Sequence, residues 1–416
     1  MSAPTCDQIA SAVAARSDEG QRWLTKMIEF PSVQGNEKAC MRYIREVLSY
    51  LRFPSEVREI PDSLMQDPEY SHAETECSYA GRSNLVSRIE GTGGGRSVII
   101  QSHADVIPPG DWAEAFTPRL DGDFIYGRGA SDAKGQIVTA LLALSALKDL
   151  GVRLAGDVQL QVVIEEEVGG NGALALIRQG CKADGVIVME ASGGNVYPAN
   201  RGALWFRLKT FGVGAHMGRR HEAVNAIEKM MEAIRRLLVL EQELIASSRN
   251  YPLFERYEAP VQLCLGMING GAWPSMVPDE CTLEGGVGFL PNTNMTRVKE
   301  QLVAAIESSD DEWLKSHYEL TYPKLHNDAY EIDPTHPLVT SLHQAALDCG
   351  HASEVFGWNV SCDARLYAKV AGLPTVVFGP SDIREAHSSS EKIAWSEVLA
   401  AAETLAQGLI RWCGVA

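Results

Sequence analysis

The pattern of apolar and polar positions changes twice along the chain. From about residue 80, short apolar runs rich in β-branched residues alternate with longer amphipathic stretches. The runs at 97–101, 157–165 and 184–190 are short enough to be buried strands, and 134–151 has the spacing of an amphipathic helix. Apolar strands separated by helices are typical of an α/β unit with a largely parallel sheet.

The middle of the chain follows a different order. Alternating apolar and polar residues at 203–211 predict a half-exposed strand, and 224–245 predicts a long helix. Two strands, a helix and a last strand are then expected at 261–270, 280–290, 296–308 and 317–323. This order of strands and helices is that of a ferredoxin-like unit.

The first pattern returns near the C-terminus, with an apolar strand and a closing helix at 373–380 and 397–412. We therefore predict an α/β domain that is interrupted by a smaller α+β insertion. The expected boundaries place the α/β domain at 1–200 and 326–416, and the insertion at 201–325.

Composition narrows the class of protein. The chain has 54 acidic against 37 basic residues, a formal net charge of −17, which argues against nucleic acid or an anionic membrane as a partner. The N-terminus lacks the basic and apolar segments of a secretory signal, and no apolar run is long enough to span a bilayer. The nine cysteines are scattered without a C-x-x-C pair, so we expect reduced thiols and a cytoplasmic protein.

Candidate chemistry is concentrated at the ends of the predicted strands. Four acidic or histidine clusters directly follow strands, and a fifth, at Asp132, precedes the long helix; the four are His103 with Asp105, residues 165–167, Glu190, and Glu385 with His387. Each cluster alone fits an ordinary solvated turn or a structural histidine. Because the carboxyl ends of parallel strands meet at one edge of a sheet, five clusters together predict one site.

The residue types at these positions favour a metal site. Histidine and carboxylate ligands without cysteine suit zinc, cobalt or manganese. Three carboxylates and a hydroxide would carry a charge of −4, which balances two divalent ions. Without metal, the same carboxylates would repel one another, so the sequence predicts a dinuclear centre.

These motifs resemble the signature of a known family. His103-Ala-Asp105, the segment 126–135, Glu165-Glu166-Glu167-Val-Gly-Gly and Ala386-His387-Ser are similar to motifs of the di-zinc aminoacylase and carboxypeptidase G family. That family includes acetylornithine deacetylase and succinyl-diaminopimelate desuccinylase. The resemblance implies a metallopeptidase-type catalytic α/β domain with an inserted ferredoxin-like lid that also forms a homodimer.

The resemblance also implies a ligand set. One metal ion would bind His103, Asp132 and Glu190. Asp132 would bridge to a second ion, which Glu167 and His387 complete. Zinc is the expected metal, with cobalt or manganese as alternatives. Glu190 stands where an aspartate is more usual in the family, and its longer side chain still offers an oxygen ligand.

Three residues receive catalytic roles by the same resemblance. Glu166 would be the general base toward a hydroxide that bridges the two metal ions. Asp105 would hold the far ring nitrogen of His103 and fix its tautomer. His216 in the lid would reach the active site of the partner subunit and stabilise the oxyanion, which makes the dimer necessary for activity.

The match is incomplete where the family contacts substrate. Arg365, Cys362 and Asn225 are the expected substrate contacts. The family's lid usually carries an asparagine before Val-Val-Pro and an arginine at the end of the next strand, and here Ser275 and Gly288 stand at these positions. A glycine cannot replace the bidentate grip of an arginine on a carboxylate.

The expected activity is therefore removal of an acyl group from a small N-acyl molecule. We hypothesise that the substrate is not a standard α-amino-acid derivative, or that Arg219, Arg220 or Trp273 holds it instead. A dipeptidase or carboxypeptidase using the same site is the alternative. A nucleotide-binding oxidoreductase is suggested only by the glycines at 91–95, which precede a strand where a dinucleotide loop must follow one. A binding protein that has lost its metals conflicts with the full ligand set.

Overall fold

Two β-sheets with separate hydrophobic cores organise the chain in the computed structural model, which describes residues 3–73, 75 and 77–416. The helices, in chain order, are α1 Cys6–Ala14, α2 Ser17–Ile28, α3 Lys38–Tyr50, α4 Gly135–Asp149, α5 Asn171–Arg178, α6 Ala226–Ser248, α7 Met295–Glu307, α8 Glu312–Ser316, α9 Pro337–Asp348 and α10 Trp395–Cys413.

Strands form at the apolar runs where the sequence predicts them, and several shorter strands are present as well. In chain order they are β1 Ser55–Glu59, β2 Ser83–Ile89, β3 Val98–His103, β4 Arg119–Asp121, β5 Phe124–Tyr126, β6 Val158–Val163, β7 Val186–Met189, β8 Val196–Asn200, β9 Gly202–Phe211, β10 Ala215–His216, β11 Leu263–Gly270, β12 Met276–Val277, β13 Glu280–Phe289, β14 Tyr318–Thr321, β15 His326–Asn327, β16 Tyr330–Glu331, β17 Val355–Trp358, β18 Thr375–Phe378 and β19 Lys392–Ala394.

The larger sheet has the order β1-β2-β6-β3-β7-β18-β8-β16, and β17 also pairs with β8. Its four central strands β6, β3, β7 and β18 run parallel. His103 at the end of β3 lies opposite Val163 at the end of β6, and Phe378 of β18 lies opposite Met189 of β7. The carboxyl ends of these strands are therefore level, as the sequence pattern predicts.

Helix α4 differs from the expected amphipathic helix. Every residue from 135 to 147 is buried, so only its last turn meets solvent. The cause is that α4 packs against α1, α2 and α10 as well as against β3. Two of its buried polar side chains bond to main-chain carbonyls: Gln136 donates to that of Ser131, and Thr139 donates to that of Gly135.

The second sheet has the order β11-β13-β9-β14, with β15 also on β9, and all its pairs are antiparallel. With α6 and α7 this is the strand order of a ferredoxin-like unit, so the predicted α/β fold with an inserted α+β lid is confirmed. Burial alternates along β9, as expected for a half-exposed strand. The boundaries at 200/201 and 325/326 stay predictions.

Among the described residues, no helix combines the length and the apolar composition that crossing a bilayer requires.

Leu342 and Leu347 of α9 provide a matched test of the packing. Leu342 is 1% exposed and meets Gly408 of α10, whereas Leu347 is 46% exposed. We expect Leu342→Ala to lower the free energy of unfolding by about 2–5 kcal/mol, because a cavity is left against α10. Urea unfolding followed by circular dichroism measures it. Leu347→Ala should stay within about 0.5 kcal/mol of the parent, and equal losses for the two variants would contradict the packing.

Candidate metal centre

The five predicted metal ligands and the predicted base Glu166 meet at the carboxyl edge of the four parallel strands. His103 ends β3, Glu166 and Glu167 follow β6, and Glu190 follows β7. His387 lies in the loop after β18. Asp132 comes from the turn before α4, where the peptide bond to Ala133 is cis. This edge is where ligand sites form in parallel α/β sheets.

The six side chains form two groups of atoms that could hold a metal ion. His103, Glu166 and Glu190 place one donor atom each within 4.8 Å of one another, and so do Asp132, Glu167 and His387. Each group contains one histidine and two carboxylates. That donor set suits zinc and other divalent transition metals, and it contains no cysteine.

Asp132 lies between the two groups. Its Oδ1 is 3.0 Å from Nε2 of His103, and its Oδ2 is 3.3 Å from Nε2 of His387. Nε2 of His103 is also 3.6 Å from Glu190 Oε1, and Nε2 of His387 is 3.0 Å from Glu167 Oε2. One carboxylate with an oxygen toward each histidine has the orientation that a bridging ligand needs.

Electrostatics at this edge show an excess of buried negative charge. Burial, reinforced by Asp132, raises the pKa of Glu167 to about 7. The pKa values of Glu166 and Glu190 are raised well above the usual range, first by burial and then by neighbouring carboxylates. Of these four carboxylates, only Asp132 has a lowered pKa, because its hydrogen bonds to the two histidines outweigh the effect of burial. A site with this surplus of carboxylate fits divalent cations.

The same carboxylates raise the pKa values of the two histidines. Burial opposes protonation of His103, but Glu190, Asp105 and Asp132 together raise its pKa well above the ordinary value. Hydrogen bonds to Asp132 and Glu167 raise the pKa of His387 to about 10. In the protein alone, these protons partly compensate the carboxylates, and a bound metal ion would displace them.

Asp105 orients His103 by a different atom from the one expected. Nδ1 of His103 lies 3.0 Å from the main-chain oxygen of Asp105 and 3.5 Å from its carboxylate Oδ1. The chain turns directly after β3, and this turn brings the main-chain carbonyl of Asp105 close to the imidazole ring of His103. Oδ2 of Asp105 instead accepts the N–H of Glu167 at 3.1 Å. Either acceptor favours a proton on Nδ1 and leaves Nε2 free to bind metal.

Glu391 holds the turn that carries Asp132. This glutamate is fully buried, and its Oε1 accepts the N–H groups of Gly129, Ser131 and Asp132 at 2.9–3.1 Å. Its Oε2 lies 2.7 Å from Arg128 Nη1. The sequence contains Glu391 four residues after His387, but nothing local indicates this role.

Glu165 holds the turn that carries Glu166 and Glu167, and sequence reasoning missed it. Glu165 is 1% exposed. Its backbone φ is +62°, in the left-handed region that residues other than glycine rarely adopt. Its carboxylate accepts bonds from Arg82 at 2.6 Å, Tyr79 at 2.5 Å and Asn171 at 3.0 Å. Glu165 therefore faces away from the metal donors, and its two neighbours face them.

The expected substrate contacts all have partners inside the chain. Arg365 is 2% exposed, with Nη1 3.3 Å from Glu69 Oε2 and Nη2 donating to the carbonyl of Gly169 at 3.1 Å. The thiol of Cys362 accepts from Asn200 Nδ2 at 3.2 Å. The side-chain oxygen of Asn225 caps α6. Their contact with substrate stays a prediction.

The predicted lid residues belong to neither donor group. His216 is exposed in β10, and its Nδ1 accepts the N–H of Gly218 at 3.2 Å. Arg219 and Arg220 are exposed and paired with glutamates, and Trp273 is 67% exposed.

The space above Gly288 is occupied by another residue. A Cβ atom placed at Gly288 would come within 2.9 Å of the Arg201 side chain, which crosses it from the start of β9. The Nη1 group of Arg201 bonds to Gln262, and its buried Nε has no hydrogen-bond partner among the described residues. Sequence reasoning missed Arg201, because nothing in the local pattern shows which residue crosses a glycine in the neighbouring strand.

Comparisons with known proteins agree with this geometry. The model of peptidase family M20/M25/M40 matches residues 99–411. N-formyl-4-amino-5-aminomethyl-2-methylpyrimidine deformylase from Bacillus subtilis is 30% identical over 372 residues, which cover 80% of this chain and 84% of that protein. Acetylornithine deacetylase from Pectobacterium carotovorum is 27% identical over 344 residues, covering 79% and 83%. The crystal structure of an M20 family metallo-carboxypeptidase from Sulfolobus solfataricus has a TM-score of 0.74 at 18% identity, covers 95% of this chain and 99% of that one, and shows the same fold.

Removal of His387 tests the second donor group. We expect His387→Ala to lower the metal content from two divalent ions per chain to about one, because only two carboxylates would remain in that group. Elemental analysis after equilibration with zinc and gel filtration measures the content.

His351 supplies the control, since it pairs with Glu403 and belongs to neither donor group. His351→Ala should retain two ions. Two ions retained by His387→Ala would refute the assignment.

Proposed function

The chain belongs to peptidase family M20/M25/M40, and we propose that it is a metal-dependent amidohydrolase that removes an acyl group from a small molecule. The observation that carries the proposal is the pair of donor groups joined by Asp132 at the carboxyl edge of the sheet. The deacylases and the deformylase among its relatives support the reaction class.

The proposed ligands are distributed over two ions. His103, Asp132 and Glu190 would hold one ion, and Asp132, Glu167 and His387 the other. When bound, a pair of divalent ions polarises an amide carbonyl and lowers the pKa of water. Zinc is the metal we propose, with cobalt or manganese as alternatives, because the donors are imidazole and carboxylate.

Glu166 is the proposed general base. Since Asp132 faces both histidines, each ion would have one histidine and two carboxylates without Glu166, which would leave Glu166 for another role. Burial and neighbouring carboxylates raise its pKa, which favours a group that accepts a proton near neutral pH. Glu166 would take a proton from the attacking water and return it to the leaving nitrogen.

The proposed substrate is a short N-acyl amide, such as an N-formyl or N-acetyl amine, without an α-carboxylate. Gly288 offers no side chain to grip a carboxylate. The guanidinium of Arg365 is buried and already bonded to Glu69 and Gly169. A relative that is named for deformylation of an aminomethylpyrimidine supports this substrate class.

A peptidase is the second candidate. Among the described residues, the Arg201 guanidinium over Gly288 bonds to Gln262 through Nη1 and its Nε has no partner, which favours a substrate with a terminal carboxylate. Release of free amino acids from a panel of dipeptides would support this reading. Turnover of N-acyl amines without such release would exclude it.

A homodimer through the lid is the proposed assembly. β11 lies at the edge of the lid sheet and exposes Met267 and Ile268, each more than half accessible. Val239 of α6 is also exposed. An apolar sheet edge of this kind is a typical pairing surface. We also propose the cytoplasm as the compartment, since the nine cysteines are all free thiols.

Glu166→Gln tests the reaction and the base together. We expect turnover of N-formyl and N-acetyl amines by the zinc-, cobalt- or manganese-loaded protein, and a loss of about 10²–10⁴-fold in kcat for Glu166→Gln, because the amide cannot accept a proton. Liquid chromatography of the released amine and elemental analysis measure both quantities, and metal content should stay near two.

Glu385→Gln is the matched control, because Glu385 lies in the His387 loop but in neither donor group. It should keep most of the activity. Hydrolysis by none of the metal-loaded forms would contradict the proposed reaction, and fast turnover only of substrates with an α-carboxylate would contradict the substrate class.

Mixed dimers test whether His216 acts across the subunit interface. His216→Ala and Glu166→Gln proteins should each be nearly inactive. Co-refolded or co-expressed in equal amounts, they should recover about one quarter of the parental activity, because half of the dimers are mixed and each holds one intact site.

Sedimentation should find dimers for both variants. Recovery that stays at the level of the separate variants would place His216 in the site of its own chain or outside catalysis.

A further inference from the structure

Two cysteines that are far apart in the sequence touch in the fold. Cys6 is the first residue of α1, and Cys349 directly follows the last residue of α9. Their Sγ atoms are 2.9 Å apart, with the Cys349 thiol donating to Cys6. Both residues are partly exposed, so a small oxidant has access to them. Within the described part of the chain, no other pair of cysteines makes such a contact.

We propose that Cys6 and Cys349 are a site of oxidative modification, at which hydrogen peroxide or a small disulfide such as glutathione disulfide converts the two thiols into one disulfide. A disulfide has an S–S length of about 2.0 Å, so the two sulfur atoms need to approach by only about 1 Å. The contact already selects these two thiols from the nine in the chain.

The surroundings assign different roles to the two sulfur atoms. Cys349 donates its S–H hydrogen to the sulfur of Cys6. Burial, the hydrogen bond to Cys6 and the nearby Glu403 carboxylate raise the pKa of Cys349. Because Cys349 is the protonated donor of this contact, Cys6 is the sulfur that reacts first, and Cys349 is the thiol that resolves the product.

The chemistry balances in two steps. The Cys6 thiolate attacks one oxygen of hydrogen peroxide, an S–O bond forms as the O–O bond breaks, and hydroxide leaves to give a sulfenic acid on Cys6. Cys349 then attacks that sulfur and displaces the second hydroxide. With the two thiol protons, the hydroxides become two water molecules, so two thiols and one peroxide give one disulfide. With glutathione disulfide, two exchanges release two glutathione thiols.

The bond would fasten the N-terminal helix to the helical layer. α1 packs against α4 and α10, and α9 packs against α10, so the covalent link would tie α1 to the end of a helix that shares its neighbour α10. A cross-link between positions 6 and 349 also closes a very long loop in the unfolded chain, which favours the folded state. Neither cysteine belongs to a metal-donor group, so activity should not depend on the link.

The test uses the full-length, metal-loaded protein. After treatment with a small excess of hydrogen peroxide, or separately of glutathione disulfide, and alkylation of the remaining thiols, we expect a mass that shows seven alkylated cysteines and one disulfide. A non-reducing peptide map should contain the peptide that joins Cys6 to Cys349. The midpoint of thermal unfolding should rise by several degrees and return after dithiothreitol.

Three variants make the result decisive. Cys6→Ser and Cys349→Ser should each abolish the linked peptide and the thermal shift. Cys264→Ser removes an exposed thiol of the lid and should retain both. Nine alkylated cysteines after treatment, a glutathione adduct that persists on Cys6, or a linked peptide that contains another cysteine would overturn the proposal. The peptide map of the parent protein decides the matter even if a serine variant does not fold.

Discussion

The mutual repulsion of buried carboxylates is the constraint on which the rest of this structure depends. Asp132, Glu166, Glu167 and Glu190 share one edge of the sheet, where His103 and His387 offset part of their charge. Burying several anions together is costly unless cations compensate them, and the raised pKa values of three of these carboxylates reflect that cost. Two divalent ions would remove it. Metal binding would therefore explain this cluster of carboxylates, since packing alone would have favoured apolar residues at this edge of the sheet.

Side chains that repel one another must be placed by bonds formed elsewhere, and the structure contains two such anchors. Glu391 collects three main-chain N–H groups and so holds the Asp132 turn. Glu165 is held by Arg82 and Tyr79 in a left-handed conformation that costs on the order of 1 kcal/mol or more. Glu165 faces away from the donors and its two neighbours face them, so of three consecutive glutamates one is an anchor, one the proposed base and one the proposed ligand.

How far the sequence predicts this structure depends on the range of the interactions. Strand ends and the order of the lid elements follow from local periodicity, and the convergence of His103 and Glu190 follows from parallel strands that end level. The anchors do not follow, because Arg82 and Glu165 are 83 positions apart and Glu391 is 259 positions from Asp132. The sequence also does not show that α4 is buried on every side, because its apolar residues are spaced in a way that fits an amphipathic helix as well. The Arg201 side chain above Gly288 is a cross-strand contact that no local pattern encodes.

The two donor groups differ in access, and this difference bears on how catalysis is completed. His103 and Glu190 are buried, whereas the His387 side chain is 52% exposed. The side of His387 is therefore the more accessible side of the proposed site, and a further donor to the reacting carbonyl would reach it from there. His216 is exposed on the lid, and within its own chain its ring accepts only the N–H of Gly218 among the described residues. The exposed lid histidine His216 and the proposed metal centre, which is most accessible beside His387, are complementary features. In the proposed dimer, the lid of one subunit would supply to the other what each chain lacks, so that assembly and catalysis depend on the same surface.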